Sequence, residues 1–213
     1  MSKSTTGARV DWHAPGELEL TPILRAARAA FASNGYHATS VREIAARVGV
    51  TIPALYYHHE NKEAILYALL DASITRLRGL CEDAMTDSDG TPEGRFLNLV
   101  ECIVIYEANA GESAILDNEI RALSPPLRES YSEKRHVIET MLVDAIADGL
   151  DAGVFEVASP ADTARALVGM YQAIPRWFHV GGPLAVLDLA RRYKDISAHA
   201  VGATPAVTAR ARA

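Results

Sequence analysis

The chain has little from which to build a sheet, a staple or a membrane anchor. Only Cys81 and Cys102 occur, with no CxxC spacing, so neither a disulfide framework nor a thiolate metal knuckle is encoded. Aromatic residues make up 7% of the chain and no Val/Ile/Thr-rich run alternates with period two, which removes the usual material of strands. No stretch approaches the roughly 18 consecutive apolar residues of a membrane span. The opening "MSKSTTGARVDWHAPGE" has no apolar core for a secretory leader. Also missing are GxSxG, HExxH and a phosphate-cradling glycine loop. These absences predict an all-α protein, soluble and cytoplasmic, with no membrane partner, no cofactor, and no signalled catalytic or metal centre.

What remains is a chain of 213 residues rich in aliphatic side chains and alanine, long enough for a small domain joined to a larger one. Its formal charge of −6 is unevenly placed. Residues 1–62 hold seven Lys/Arg against five Asp/Glu, and residues 63–213 hold fourteen against twenty-two. A mildly basic head on an acidic body suits a DNA-reading module on a body that avoids DNA.

Periodicity divides the chain further. Residues 1–16 read as a flexible arm whose Lys3 and Arg9 could meet phosphate. A helix follows with Ile23, Ala27, Ala30 and Phe31 on one face, stopped at Asn34 and Gly35. Thr39 or Ser40 caps a second helix, with Glu43 placed for a capping box. Gly49 suits the tight turn after it, and Thr51 caps a third helix that carries Pro53 in its first turn. Two short helices joined by a glycine turn make a helix-turn-helix, here about residues 40–59 within a head of residues 17–62.

A connector helix is expected at 63–85, reaching about Cys81. The body of residues 86–200 reads as helices at about 93–109, 112–123, 126–151, 160–179 and 184–200. Residues 201–213 read as a disordered tail.

The run Tyr56, Tyr57, His58, His59 raises the question of chemistry. Adjacent helical residues point about 100° apart, so the two histidines cannot share an ion as an i, i+4 pair would. Catalysis would need a nucleophile with a base, or paired carboxylates, and no motif supplies one. The position fits DNA. The second helix of such a motif enters the major groove, and residues at its end meet phosphates. Thr51, Ile52, Pro53 and Ala54 then sit toward base edges, with Tyr57, His58 and Lys62 toward phosphates. Leu55 faces inward, and Tyr56 is expected to be partly buried.

Residues 23–66, "ILRAARAAFASNGYHATSVREIAARVGVTIPALYYHHENKEAIL", resemble the DNA-binding domain of the TetR family of transcriptional regulators. The family's Gly-Tyr step, its "TS-REIA" run and its "LYYH" run with the following lysine occur in order and at the same spacing. The resemblance implies phosphate contacts from Thr39, Ser40, Tyr57, His58 and Lys62. Two positions depart from the pattern. His59 replaces a phenylalanine, and Ile52-Pro53 replaces a polar-glycine pair, so base preference does not carry over.

The resemblance also implies a helical body that dimerises through its last two helices, about 160–179 and 184–200, and encloses a small-molecule pocket. Ala164, Leu167, Val168, Tyr171, Leu187, Ala190 and Ile196 supply stripes that fit either a homodimer interface or a monomer core. Phe96, Ile103, Tyr106, Glu107, Asn118, Arg121 and Leu123 combine apolar lining with a few polar groups, as a ligand site does. "PRWFHVGGPLAVLDLARRY" is similar to a run in TetR-type repressors that respond to acyl-CoA thioesters, which adds Arg176 as a partner for a ligand anion.

The reading is a repressor that binds a palindromic double-stranded DNA operator as a homodimer and is released by a small hydrophobic effector, an acyl-CoA or another. An enzyme on a helical body and a ligand-independent DNA-binding protein are the alternatives.

Overall fold

The computed structural model describes residues 11–111 and 116–212. The described residues form nine α-helices and two short 3-10 turns, with no strand.

The head is α1 (Pro22–Asn34), α2 (Val41–Val48) and α3 (Ile52–His58). Thr21 caps α1 by accepting from the Leu24 amide, and Ile23, Leu24, Ala27, Ala30 and Phe31 bury its apolar stripe. Ser40 caps α2 by accepting from the Glu43 amide at 3.1 Å. The expected reciprocal bond does not form. The Glu43 carboxylate instead accepts from Asn34 and Arg47, since a guanidinium four residues on is a stronger donor than an amide. Gly49 closes the helix at φ 77°, ψ 27°, a left-handed conformation that a Cβ disfavours.

The connector is α4 (Lys62–Thr86), capped by Asn61. Its 25 residues span about 37 Å at 1.5 Å each. Its last turn is held because Ala84, on the same face as Leu77 and Leu80, is fully buried. Packing rather than local propensity carries the last turn.

The body is α5 (Pro92–Asn109), α6 (Pro125–Asp151), α7 (Pro160–Tyr171) and α8 (Val186–Ala200), completed by α9 (Pro205–Arg212). α5 buries residues on every side, as a helix enclosed by α4, α6 and α8 must. Part of the helix expected at 112–123 lies outside the described residues, and Asp117–Ala122 is a 3-10 turn. The helix expected at 160–179 ends at Tyr171, followed by a 3-10 turn at Ile174–Arg176. Pro175 explains the break, because continuing the α-helix would set its ring against the Tyr171 carbonyl.

Residues 205–212 and the described part of the N-terminal arm, residues 11–16, are ordered where disorder was expected. Val207 and Ala211, four residues apart on α9, are buried. Arg210 pairs with Asp89 and Arg212 with Asp195, each at 2.7 Å. At the other end Trp12 is buried and donates to Asp87 at 3.0 Å, while Arg76 donates to the Pro15 carbonyl. Residues 11–16 are therefore docked on the connector. Lys3 and Arg9 lie outside the described residues.

Candidate nucleic-acid interface and ligand cavity

The short α3 stands on Leu55, which packs with Ile44 and Ala45 of α2 in the head's core. Its cap is Thr51, accepting from the Ala54 amide at 3.2 Å. With Leu55 inward, Thr51, Pro53, Ala54, Tyr57 and His58 face solvent, and Ile52 is half-buried. Tyr57 is 87% exposed, its ring edge-on to His58. Tyr56, expected to be partly buried, is 46% exposed. The helix carries no lysine or arginine.

Three residues expected together at a phosphate backbone are placed differently. Ser40 is exposed at the head of α2. Thr39 is buried, its hydroxyl within bonding distance of the Ala30 and Gly35 carbonyls. Lys62 turns inward. Its ammonium donates to the Tyr36 and Thr39 carbonyls at 2.8 Å and lies 4.3 Å from the centre of the Tyr36 ring. A third carbonyl, His37, is 3.4 Å away. The lysine thus ties the start of α4 to the loop between α1 and α2.

A cavity of about 440 Å³ lies in the body between α4, α5, α6 and α7. Ile74 and Leu77 of α4, Ile103 of α5, Ile138 of α6 and Val168 of α7 make its apolar walls. Its polar groups come from several elements. The Tyr131 hydroxyl donates to Asp117 at 2.6 Å, and the Tyr106 hydroxyl to the Ser73 carbonyl at 2.9 Å. Burial and the Asp117 carboxylate both hold the Tyr131 phenol well above its ordinary range.

Glu107 and Arg135 also line this space, and neither makes a hydrogen bond or ion pair with another described residue. Burial, aided by Asp117 and opposed by Arg135, pushes the Glu107 carboxyl up to about 8. At neutral pH it is mostly a neutral acid, able to donate one hydrogen bond.

Of the residues expected from sequence, Ile103, Tyr106 and Glu107 line the cavity. Phe96 does not. It is fully buried edge-on to Phe155, because α5 is enclosed on all sides and this face looks away from the void. Leu123 is buried elsewhere in the core, and Arg121 and Arg176 are exposed outside the cavity. The Asn118 side chain lies outside what is described.

The α6 wall was missed altogether. Its signal is the spacing of Tyr131, Arg135 and Ile138 at i, i+4 and i+7, which places an arginine within an otherwise apolar helical stripe.

Residues 23–69 match the family model of bacterial regulatory proteins of the tetR family. Residues 89–201 match the tetracyclin repressor-like C-terminal domain. The chain belongs to the TetR family of helix-turn-helix transcriptional regulators.

Among its TetR-family relatives, the transcriptional repressor KstR2 of Mycobacterium tuberculosis is 30% identical over 180 residues, covering 82% of this chain and 88% of that protein. A tetR-family regulatory protein from Rhodococcus RHA1 has a solved structure with a TM-score of 0.78 and 28% identity, covering 86% of this chain and 96% of that one. AibR, solved with isovaleryl coenzyme A and operator DNA, has the same fold at a TM-score of 0.75 and 22% identity, with coverage of 85% and 97%. No helix among the described residues is long and apolar enough to cross a membrane.

Proposed function

We propose that this TetR-family regulator is a repressor that holds a palindromic operator as a homodimer and releases it when an amphipathic acyl thioester fills the α4–α7 cavity. One observation carries the coupling. The turn at Asp117–Ala122 faces both ways: Asp117 accepts from Tyr131 at the cavity, and Glu119, two residues on, accepts the Tyr36 amide of the head at 3.3 Å.

The connector repeats that link. Ser73, Ile74 and Leu77 of α4 line the cavity, while Lys62 at its start is bonded into the head. Near the same end, Glu63 accepts from the Ser124 amide of the body. A ligand that displaces α4 or the turn therefore moves α3.

Two heads bind one duplex only when their recognition helices match half-sites roughly 34 to 36 Å apart. A ligand that favours a body packing with a different spacing weakens operator binding by the ratio of its affinities for the two states. On this reading α3 meets bases through Thr51, Ile52, Pro53 and Ala54. Ser40, Tyr57 and His58 meet phosphates, and Lys62 and Thr39 support the frame that presents them.

The effector class is supported by the cavity's chemistry. An apolar belt accommodates an acyl chain, and the neutral Glu107 beside Arg135 offers donors to a thioester carbonyl. AibR, solved with an acyl-CoA, adds to that support.

The dimer surface follows from what the protomer leaves uncovered. Ala164, Leu167, Tyr171 and Ala190 are spent in the protomer's own core, while Trp177, Val180, Leu187 and Ile196 stay exposed.

The test is binding of the purified protein to a fluorescent duplex from its own upstream region, against a scrambled duplex, with and without a long-chain acyl-CoA. Preference for the native duplex, lost on adding the thioester, is the expected result. Equal affinity for both duplexes would overturn the repressor, and specific binding unmoved by the thioester would overturn the effector class.

A further inference from the structure

The cavity has a neighbour. A second cleft, of about 1030 Å³, opens between segment 13–18, α1, α4, the end of α5 and the start of α8. Tyr106, held by its bond to Ser73, and Ala110 line both spaces.

The two chambers differ in charge. The inner one sets the carboxylates of Asp117 and Glu139, with the protonated Glu107, beside Arg135 and His136. That balance is hostile to a group carrying several negative charges. Among the described residues the outer one is lined by Arg28 of α1 and Arg76 of α4, with His13, Asn109 and the carboxylate of Glu17. Two guanidiniums brought to one space from separate helices suit a phosphate, which each can bind through paired N–H groups.

We propose that the outer cleft seats the phosphorylated part of the effector, whose acyl part lies in the inner cavity. The assignment rests on the thioester reading above and extends it to a site of opposite chemistry. It also gives the ligand a direct grip on the head. Arg28 belongs to α1 and Arg76 to the connector, so a phosphate between them touches both. The same phosphate competes with the Pro15 carbonyl for Arg76. Binding therefore loosens the segment that walls the cleft, which is otherwise anchored through Trp12 and Asp87.

The test is calorimetric titration of the full-length protein with three probes: octanoyl-CoA, octanoyl-pantetheine, and adenosine 3′,5′-bisphosphate. Variants are Arg76→Gln, Arg76→Lys and, from a different helix, Arg28→Gln, each checked by thermal melting. Octanoyl-CoA should bind about tenfold or more tighter than octanoyl-pantetheine, an advantage lost in Arg76→Gln or Arg28→Gln and largely kept in Arg76→Lys. Octanoyl-pantetheine should be indifferent to all three.

Equal affinity of the wild type for the two thioesters, or equal weakening of both by Arg76→Gln, overturns the outer site and leaves the acyl site standing. If neither thioester binds, the inner-cavity reading fails and the bisphosphate decides the outer cleft. Binding of that probe that disappears in Arg76→Gln supports an anion seat there, and no binding overturns it.

Discussion

Tyr57 and Lys62 were expected to share one task, and the structure gives them opposite ones. Tyr57, with its ring in water, supports nothing inside the protein, so Tyr57→Ala should leave the melting temperature unchanged and weaken operator binding about tenfold, roughly 1.4 kcal/mol. Lys62→Met should do the reverse first. Carbonyls that lose a charged donor cost about 1–3 kcal/mol in stability. Thermal melting beside a duplex titration separates the two. Lys62 was legible as a residue that matters and not as to why, because a motif fixes spacing along the chain but not which way a long side chain turns.

Glu107 makes a second prediction at this scale. Its carboxyl titrates near 8 in the fold against a usual value near 4.5, so between those values the folded protein holds a proton that the unfolded chain has released. Stability should therefore be highest below about 4.5 on this group's account and fall as pH rises to about 8, by a few kcal/mol at most. Glu107→Gln keeps the shape without the titration. Its melting temperature should lose that decline between pH 5 and 8, and a decline that persists would place its origin elsewhere.

Among the elements, those whose signals are local were readable. Ser40, Gly49 and Thr51 fall at helix boundaries where capping and turn chemistry put them. Those that depend on packing were not. α9 looked like a polar tail because two small apolar residues among arginines give no amphipathic signal until they meet α8. The 3-10 turn bearing Asp117 was read as ordinary helix, since composition does not distinguish the two. Truncation after Thr204 should cost about 2–3 kcal/mol, the scale of burying one valine with its neighbours. It also frees Asp89 and Asp195 of their arginines. A truncated protein that melts as the full chain does would show α9 to be ornamental to stability.

For the whole molecule, the question left open by periodicity was whether the α7 and α8 stripes serve core or dimer. Ala164, Leu167, Tyr171 and Ala190 went inward, and Leu187 and Ile196 stayed exposed with Trp177 and Val180. Ile196→Glu, at a half-exposed site, should leave the protomer folded, shift it to monomer in sedimentation, and lower operator affinity far more than Tyr57→Ala, since one head reads too few base pairs.

The recognition helix has one further consequence. α3 carries no lysine or arginine, Lys62 is spent on carbonyls, and Arg47 is paired with Glu43 at 2.8 Å. Each phosphate neutralised by a protein cation steepens the fall of log affinity with log ionic strength by about 0.9. On the contacts proposed above, the head grips with hydroxyls, rings and amides and displaces few counterions, so its salt dependence should be shallow for a DNA-binding protein. Occupancy of the operator would then follow the effector while the ionic strength of the cell rises and falls.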